Sequence, residues 1–275
     1  MHRSAARAFI MSALILAVGF LAISNAPAQT ALKAEIPPAP AGGIDPAKLP
    51  DIEGIHLGMT PDQVIAKLKA SGAKIQISTV QYMTAPDPKW TSSIFASIGA
   101  GNGNTMTAIF SAPPNKQVLV RLERQNVFPV GTQPTADTMK AALFQKYGAN
   151  PTQVSPTIWV WTFNEQGGPL LPAPPARQIF SCGTTMLAPN HSITAYTANQ
   201  LPLQQQELAR WMALSCNSPG VYVHATFYGS SLNVVLTDTA EDLRGALAGQ
   251  QYIEKIDAAK QHNLQKDTQK SVPTL

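Results

Sequence analysis

The amino-acid sequence predicts an α+β fold in which antiparallel sheet carries helices packed on one face. Three helix starts have capping signals, and two pairs of neighbouring segments alternate apolar and polar residues as the strands of hairpins do. Helices and hairpins are interspersed without the regular strand-helix-strand order of a parallel sheet. The pattern leaves open whether the chain contains two related helix-plus-sheet units.

Capping residues predict the first two helices. Residues 60–63 (Thr-Pro-Asp-Gln) form a capping box with proline at the first helical position, and Gly72 ends that helix. Thr135 opens the second helix and Gly148 closes it. The predicted buried stripe of the second helix has helical spacing and comprises Met139, Ala142, Leu143 and Tyr147.

A third helix is predicted to start at Thr239 and to be interrupted by Gly249. All three starts place an acid two residues after a threonine and a leucine at the ninth position. An internal repeat would produce this pattern, and so would convergence, because a capping threonine, an early acid and an apolar stripe suit any helix start. Both explanations stay open.

Alternating apolar residues predict the strands. Met106, Ala108 and Phe110 precede a turn at residues 113–116 and form a hairpin with Val118, Val120 and Leu122. Val221–Tyr228 pairs with residues 232–237, and a Ser230-Ser231 turn would place Phe227 opposite Val234. Ile158–Phe163 is apolar on both sides, which is typical of a central strand with Trp159 and Trp161 in the core.

The first 28 residues predict a signal peptide. Arg3 and Arg7 precede an apolar run at residues 8–23, and Ala26-Pro27-Ala28 supplies the small residues of a cleavage site. The alternative is an uncleaved anchor, but this run is shorter than the ~20 residues that span a bilayer. We therefore expect a periplasmic or secreted protein without a stable membrane anchor after cleavage.

The mature chain is predicted to have three parts. Residues 29–50 are rich in proline and alanine and form a flexible leader. Residues 51–266 form a single α+β globular region, or two subdomains that meet near residue 150. Residues 267–275 form a disordered tail, and the proline-rich stretch 167–175 is a surface loop.

Composition excludes some classes of partner. The 275 residues include 20 Lys and Arg against 16 Asp and Glu, with a net charge of +4 and a charged fraction of only 13%. These basic residues are scattered and form no nucleic-acid footprint. Removal of residues 1–28 takes away two arginines and no acid, so the net charge falls to +2. The mild basicity therefore indicates no acidic partner.

Cys182 and Cys216 are the two cysteines of the chain. In an oxidising compartment two cysteines usually pair, so we predict a disulfide bond between them. A redox dithiol or a metal site is the alternative, but it would favour a Cys-x-x-Cys spacing or a nearby histidine.

Familiar catalytic and cofactor motifs are absent from the sequence. It contains no His-Glu-x-x-His, no Gly-x-Ser-x-Gly and no phosphate-binding loop. We therefore predict no catalytic residue, no metal and no cofactor, and a non-enzymatic protein is favoured over an enzyme.

One strand offers a candidate binding face. Tyr222, His224, Thr226 and Tyr228 alternate with core residues and would form a polar aromatic patch suited to a glycan or a peptide. An ordinary solvated sheet face is the alternative. The sequence identifies neither the partner nor the oligomeric state.

Residues 51–64 (DIEGIHLGMTPDQV) resemble the Gly-Met-Thr/Ser helix opening of small bacterial envelope proteins. These include outer-membrane assembly lipoproteins of the BamE-like fold and uncharacterised exported proteins. Lys146-Tyr147-Gly148 is similar to a recurring feature of the exported proteins, and the two motifs together cover about thirty residues. Unlike the lipoproteins, this chain has no cysteine to accept a lipid. Beta-lactamase inhibitor proteins look similar in architecture, with tandem helix-and-sheet units.

These observations predict a non-enzymatic exported protein that binds an envelope protein or glycan through a sheet face. An exported inhibitor of another enzyme, with residues 167–175 as its loop, and an enzyme with an unrecognised active site are the alternatives.

Overall fold

The computed structural model describes residues 46–80, 90–99, 103–111, 116–169 and 220–270. Three helices lie in this part of the chain: α1 (Pro61–Ala70), α2 (Ala136–Tyr147) and α3 (Thr239–Lys270). Strands β1 (Asp51–Ile52) and β2 (Ile55–His56) form a small antiparallel ribbon. The other strands are β3 (Lys74–Val80), β4 (Trp90–Ser97), β5 (Asn104–Phe110), β6 (Leu119–Val127), β7 (Thr152–Ser155), β8 (Ile158–Phe163), β9 (Val221–Tyr228) and β10 (Ser231–Asp238).

Strands β3 to β10 form one antiparallel sheet in the order β3-β4-β5-β6-β10-β9-β8-β7. A meander of β3 to β6 follows α1, and a meander of β7 to β10 follows α2. The two meanders meet where their last strands, β6 and β10, pair antiparallel. The predicted α+β class is confirmed, and the described residues contain two helix-and-meander units with the same order of elements.

The core lies between this sheet and the first two helices. Alternate side chains of the strands point to the same side as the buried faces of α1 and α2. Core residues include Val64, Leu68, Ile94, Met106, Leu122, Met139, Leu143, Trp159, Val223, Ala225, Val234 and Leu236. Leu49 also belongs to this core and is only 4% exposed, although it falls in the segment predicted as a flexible leader.

Helix α1 begins as the sequence predicts. Thr60 accepts a hydrogen bond from the Gln63 backbone N–H, and the Gln63 side chain accepts one from the Thr60 N–H at 2.8 Å. Ser71 caps the helix end, and Gly72 follows with a φ of 71°. This capping box satisfies two backbone donors that the helix itself cannot pair.

Helix α2 ends against the segment that precedes α1. Thr135 caps its start, and Met139, Leu143 and Tyr147 are buried as predicted, whereas Ala142 is exposed. At the other end, Lys146 Nζ lies 3.2 Å from Asp51 Oδ1 and Tyr147 donates a hydrogen bond to the Asp51 carbonyl. The two segments that carry the resemblance therefore contact each other.

Helix α3 starts at Thr239 as predicted, but it differs from its prediction in three other ways. Its cap is Asp238, whose Oδ1 accepts a hydrogen bond from the Glu241 N–H, while the Thr239 hydroxyl bonds to the backbone of Gly220. The helix also continues through Gly249, because one glycine costs only about 1 kcal/mol in a helix interior. It reaches Lys270 and so extends into the predicted tail. Because no meander follows it among the described residues, α3 has no counterpart in the two units.

The β9–β10 hairpin is present, but its predicted register is wrong by two residues. The turn is Gly229-Ser230, so Phe227 faces Leu232 and Ala225 faces Val234. Gly229 adopts a φ of 55° at the first turn position, where this conformation is required in a type II′ turn. A shift of two residues keeps every side chain on its predicted face.

The other predicted strands are also present. β5 pairs with β6, and Met106, Ala108 and Phe110 are buried, while a register shift after Ile109 brings Leu119 rather than Val118 into the core. β8 has Trp159 and Trp161 in the core, but it is the second strand from the edge and not a central one.

The two edges of the described sheet differ. β3 has seven residues, and Gln76, Ile77, Ser78 and Thr79 are exposed. β7 has four residues, lies between Pro151 and Pro156, and has a register shift against β8. Both edge strands have a register shift against their neighbour, so the flanking prolines and the short length make β7 the protected edge and β3 the more open one.

Several predictions lie outside the described residues. These are the signal peptide, the leader up to residue 45, both cysteines, most of the loop at 167–175 and the last five residues of the tail. The described residues all belong to one compact unit. None of the described helices is long and apolar enough to cross a membrane.

Candidate functional site

The side of the sheet that faces away from α1 and α2 carries the candidate site. We define the polar face as the residues of β6, β10 and β9 that point to this side. They are Arg121, Glu123, Gln125, Val127, Ser231, Asn233, Val235, Thr237, Tyr222, His224, Thr226 and Tyr228. Strand alternation produces this face, because the intervening residues of β9 and β10 and Leu122 of β6 point to the core.

The four predicted residues lie on this face, but their exposure differs strongly. Tyr222 is 2% exposed, His224 and Thr226 are half-buried, and Tyr228 is 75% exposed. Tyr222 packs with Val160 in a small second hydrophobic cluster, and burial raises its pKa to about 12. Tyr222 is therefore a packing residue, and a ligand has access only to the end of β9 near the turn.

Strand pairing brings further polar residues beside His224. Thr237 lies between Tyr222 and Arg121, and Val235 lies between His224 and Glu123. Asn233 lies one step further toward the turn, between Thr226 and Gln125. We call Arg121, Glu123, His224, Asn233 and Thr237 the polar cluster.

Both carboxylate oxygens of Glu123 have partners in this cluster. Arg121 Nη2 lies 3.2 Å from Glu123 Oε2, and Asn233 Nδ2 donates to Glu123 Oε1 at 3.0 Å. The Arg121 side chain is only 11% exposed, whereas that of Glu123 is 32% exposed. The carboxylate thus compensates the arginine charge and holds Asn233 in place.

Four other polar atoms of the cluster have no hydrogen-bond partner among the described residues. They are Arg121 Nη1, His224 Nε2, Asn233 Oδ1 and Thr237 Oγ1, and all four are buried. A buried polar atom without a partner costs about 1–3 kcal/mol, and native proteins pair more than nine in ten of such groups. Four of them occupy neighbouring positions on β6, β10 and β9.

The surroundings of His224 favour its neutral form. Burial lowers the pKa of His224 below its usual 6.5, the positive charge of Arg121 lowers it further, and Glu123 acts in the opposite direction. A neutral imidazole nitrogen donates or accepts a hydrogen bond according to its tautomer. The cluster therefore carries one positive and one negative charge, which offset each other.

The described contacts do not place His224 in a catalytic relay. A His-dependent nucleophile would need His224 hydrogen-bonded to a carboxylate and to a hydroxyl. Glu123 bonds instead to Arg121 and Asn233, and His224 Nε2 has no partner there. The described residues also contain no group of three or more His, Cys, Asp or Glu that could hold a metal ion.

The exposed rim of the polar face is partly apolar. Tyr228 and Val127, the latter 39% exposed, lie on either side of Ser231 at the turn end. Phe95 is also 39% exposed and lies in the same row as Glu123, two strands away. Exposed rings beside polar groups are typical of binding surfaces.

A second polar cluster lies at the start of α3. Arg244 forms ion pairs with Glu165 and with Glu241, the second at 3.0 Å. Burial is the main cause that raises the pKa of Asp238 to about 7. Because Asp238 caps α3 and Arg244 ties the helix to the loop after β8, this cluster is explained by the attachment of α3.

Sequence reasoning found His224 but missed Arg121, Glu123, Asn233 and Thr237. The signal available was the alternation in β6 and β10, which puts these residues opposite the core positions. The pairing of β6 with β10 was not predicted, so their proximity to His224 could not be inferred.

Only the start of the proposed inhibitor loop is described. A Cβ atom at Gly167 would lie 2.1 Å from the Lys48 carbonyl oxygen, so this residue packs closely against the chain near the core.

No family model, curated protein or solved structure matches this chain.

Proposed function

We propose that the chain is a non-enzymatic, exported binding protein that holds a cell-envelope component on its polar face. The observation that carries this proposal is the accessible end of the polar face, where Tyr228 is 75% exposed beside the half-buried Thr226 and His224. The proposal of export rests on the amino-terminal sequence pattern.

Binding is favoured over catalysis by the state of the ionisable groups. The carboxylate of Glu123 is engaged on both oxygens, and His224 Nε2 has no described partner that would orient the ring as a base. Such groups recognise a ligand through hydrogen bonds and lack the relay that activates a nucleophile.

Co-sedimentation with an insoluble bacterial envelope fraction tests this function. We expect the chain from Gln29 onward to sediment with the fraction, and the double variant His224→Ala/Tyr228→Ala to stay mainly in the supernatant. The matched control is Lys255→Ala/Lys260→Ala, which changes two exposed residues of α3. Thermal unfolding of both variants verifies that they are folded.

Equal sedimentation of the two double variants would show that the polar face is not the binding surface. Failure of the wild-type chain to sediment would exclude an insoluble envelope component as the ligand.

A further inference from the structure

The open edge of the sheet carries an apolar side chain that the fold leaves uncovered. Ile77 of β3 pairs with Ile94 of β4, which is fully buried in the core. Directly paired residues share a face of the sheet, so Ile77 also points to the side that carries α1. It is nevertheless 50% exposed, whereas Ile75, two residues earlier, packs against the core. The core side of β3 therefore offers an apolar surface to another molecule.

The backbone of β3 can also pair on its outer side, since β4 is its one neighbour among the described strands. The Ser78 carbonyl points to β4, because it accepts a hydrogen bond from Ser92 Oγ at 3.1 Å. Backbone groups of successive residues alternate in direction, so those of Ile75, Ile77 and Thr79 point to the open side. The extra residue of the nearby register shift is Ser92 on β4, so β3 itself stays regular.

We propose that the β3 edge is a dimer interface, at which the β3 strands of two copies of this chain pair antiparallel about a two-fold axis at Ile77. In this register Ile77 faces Ile77 of the partner subunit, and Ile75 faces the partner's Thr79. These are the residues whose backbone groups point outward, so each pair exchanges two hydrogen bonds. The two Ile77 side chains then cover each other. This interface goes beyond the polar face and does not depend on it.

The charge on β3 is compatible with this register. Lys74 is the one charged residue of the strand and stands at its first position. It would lie opposite the last residue of the partner's β3, so the two lysines would be about 20 Å apart. Their repulsion is screened at this distance, because the Debye length is about 8 Å at physiological salt. A register centred on Ile75 would bring the lysines to about 8 Å, which favours the centre at Ile77.

Helix α1 lies beside this edge, and one of its flanks faces outward. α1 contacts β3 and β4. Its Lys67 points to the β1–β2 ribbon, where Nζ lies 3.6 Å from the position of a Cβ atom at Gly54. That ribbon is joined to β6 by the Glu53–Arg124 ion pair at 3.0 Å, so the Lys67 flank faces the middle of the sheet. The opposite flank of α1 therefore faces the β3 edge.

The outward flank of α1 has charges that suit a second copy. Asp62 and Lys69 are both exposed, and they lie about 140° and 200° around the helix from Lys67. The two-fold axis makes the two α1 helices antiparallel, so the Asp62 end of one lies toward the Lys69 end of the other. Opposite charges then approach each other across the interface, which favours a second copy over a partner with charge of a single sign.

The size of the contact predicts a weak dimer. Adjacent strands lie about 4.8 Å apart, so two α1 helices that each lie over β3 and β4 would be about 10 Å apart, a normal packing distance. One strand edge and one helix flank from each subunit form a small interface compared with the roughly 1,600 Å² that stable complexes bury. We therefore expect a concentration-dependent equilibrium with a dissociation constant in the micromolar range.

Analytical ultracentrifugation of the chain from Gln29 onward, at micromolar to millimolar concentrations, tests the interface. We expect monomer and dimer in equilibrium. Ile77→Lys would place two ammonium groups opposite each other at the two-fold axis, so we expect it to weaken the dimer about tenfold or more. The matched control is Val130→Lys in a loop, where the side chain is 95% exposed, and we expect it to dimerise like wild type. Thermal unfolding verifies that both variants are folded.

Mixed cysteine variants test the register without Ile77→Lys. Gln76 and Ser78 are exposed, and in this register each lies opposite the other residue in the partner subunit, at a Cα distance of about 4.5 Å that a disulfide can span. We expect mild oxidation of a mixture of Gln76→Cys and Ser78→Cys to give a covalent dimer. Each variant alone should give no more than wild type, which has the same two native cysteines.

The results that would overturn the dimer interface are distinct. A monomer at every concentration would do so, and so would a dimer that Ile77→Lys leaves as tight as wild type. Equal weakening by Ile77→Lys and Val130→Lys would assign the effect to added charge and not to the β3 edge. As much covalent dimer from one cysteine variant alone as from the mixture would contradict the register. The cysteine mixture decides the outcome should Ile77→Lys fail to fold.

Discussion

Individual residues show which part of the site the sequence could reveal. The alternation of Tyr222, His224, Thr226 and Tyr228 established that they share one face, since alternation is a local property of a strand. The exposure of each side chain is not a local property of the strand, because it depends on what packs above the sheet. The contact of Asn233 with Glu123 joins residues 110 positions apart, and no short-range pattern predicts it.

Asp238 gives a prediction for the pH dependence of stability. Its pKa is about 7 in the folded chain and 3.8 is the ordinary value, so the folded state retains a proton that the unfolded state loses. The contribution of Asp238 to stability is therefore greatest below pH 4, falls by up to ~1.4 kcal/mol per pH unit toward pH 7, and is constant above. Asp238→Asn keeps a cap acceptor and removes this titration.

The measurement is the free energy of unfolding of wild type and Asp238→Asn at pH 4.5, 5.5 and 6.5. We expect the variant to gain stability relative to wild type as the pH rises. A constant difference between the two proteins across this range would contradict the assigned pKa.

At the scale of elements, local signals were sufficient for the helix starts and insufficient for a turn. The capping box at Thr60 and the cap at Thr135 depend on residues within one turn of helix, and both are confirmed. The β9–β10 turn was assigned to Ser230-Ser231, but the left-handed conformation available to Gly229 moves it by one position. Because the register shift is two residues, each side chain stays on its predicted face of the sheet, although its partner across the hairpin changes.

Gly229 should therefore control the stability of this hairpin. A Cβ atom at Gly229 meets nothing within 4 Å, so any cost of substitution comes from its φ of 55°. We expect Gly229→Val to lower the free energy of unfolding by about 1–2 kcal/mol, because β-branched residues disfavour this conformation. Gly229→Asn is the matched control with a smaller loss, since asparagine tolerates it.

Urea unfolding of the two variants measures this difference. Equal losses for valine and asparagine would mean that the turn does not require the left-handed conformation.

At the scale of the whole molecule, the element order agrees with two of the three similar helix starts. α1 and α2 each precede a four-stranded meander, whereas α3 follows the second meander. The similar helix starts could indicate two related helix-and-meander units, but not how the two units join. They join through the β6–β10 pairing, whose strands are distant along the chain. A long-range contact of this kind is set by the fold as a whole.

The β6–β10 pairing and the shared core should hold the two units together without a covalent link. Pro129, Val130 and Gly131 are exposed between β6 and α2, and a protease site inserted after Val130 would allow cleavage of the folded chain. We expect both fragments to elute together in size exclusion under native conditions and to separate in denaturant. Both cysteines follow the cut, so a disulfide between them would not join the fragments.

An uncut chain with the same insertion is the control. Separation of the fragments in native buffer would show that the pairing of β6 with β10 and the common core do not hold the two units together.

The unequal edges of the sheet limit how molecules of this protein could assemble. Growth of a fibre by edge-to-edge pairing requires two receptive edges on every molecule, one for each neighbour. Among the described strands, β3 offers such an edge, while β7 is short and bordered by prolines. Addition at β3 would thus end after one step, which gives the fold a built-in limit against polymerisation.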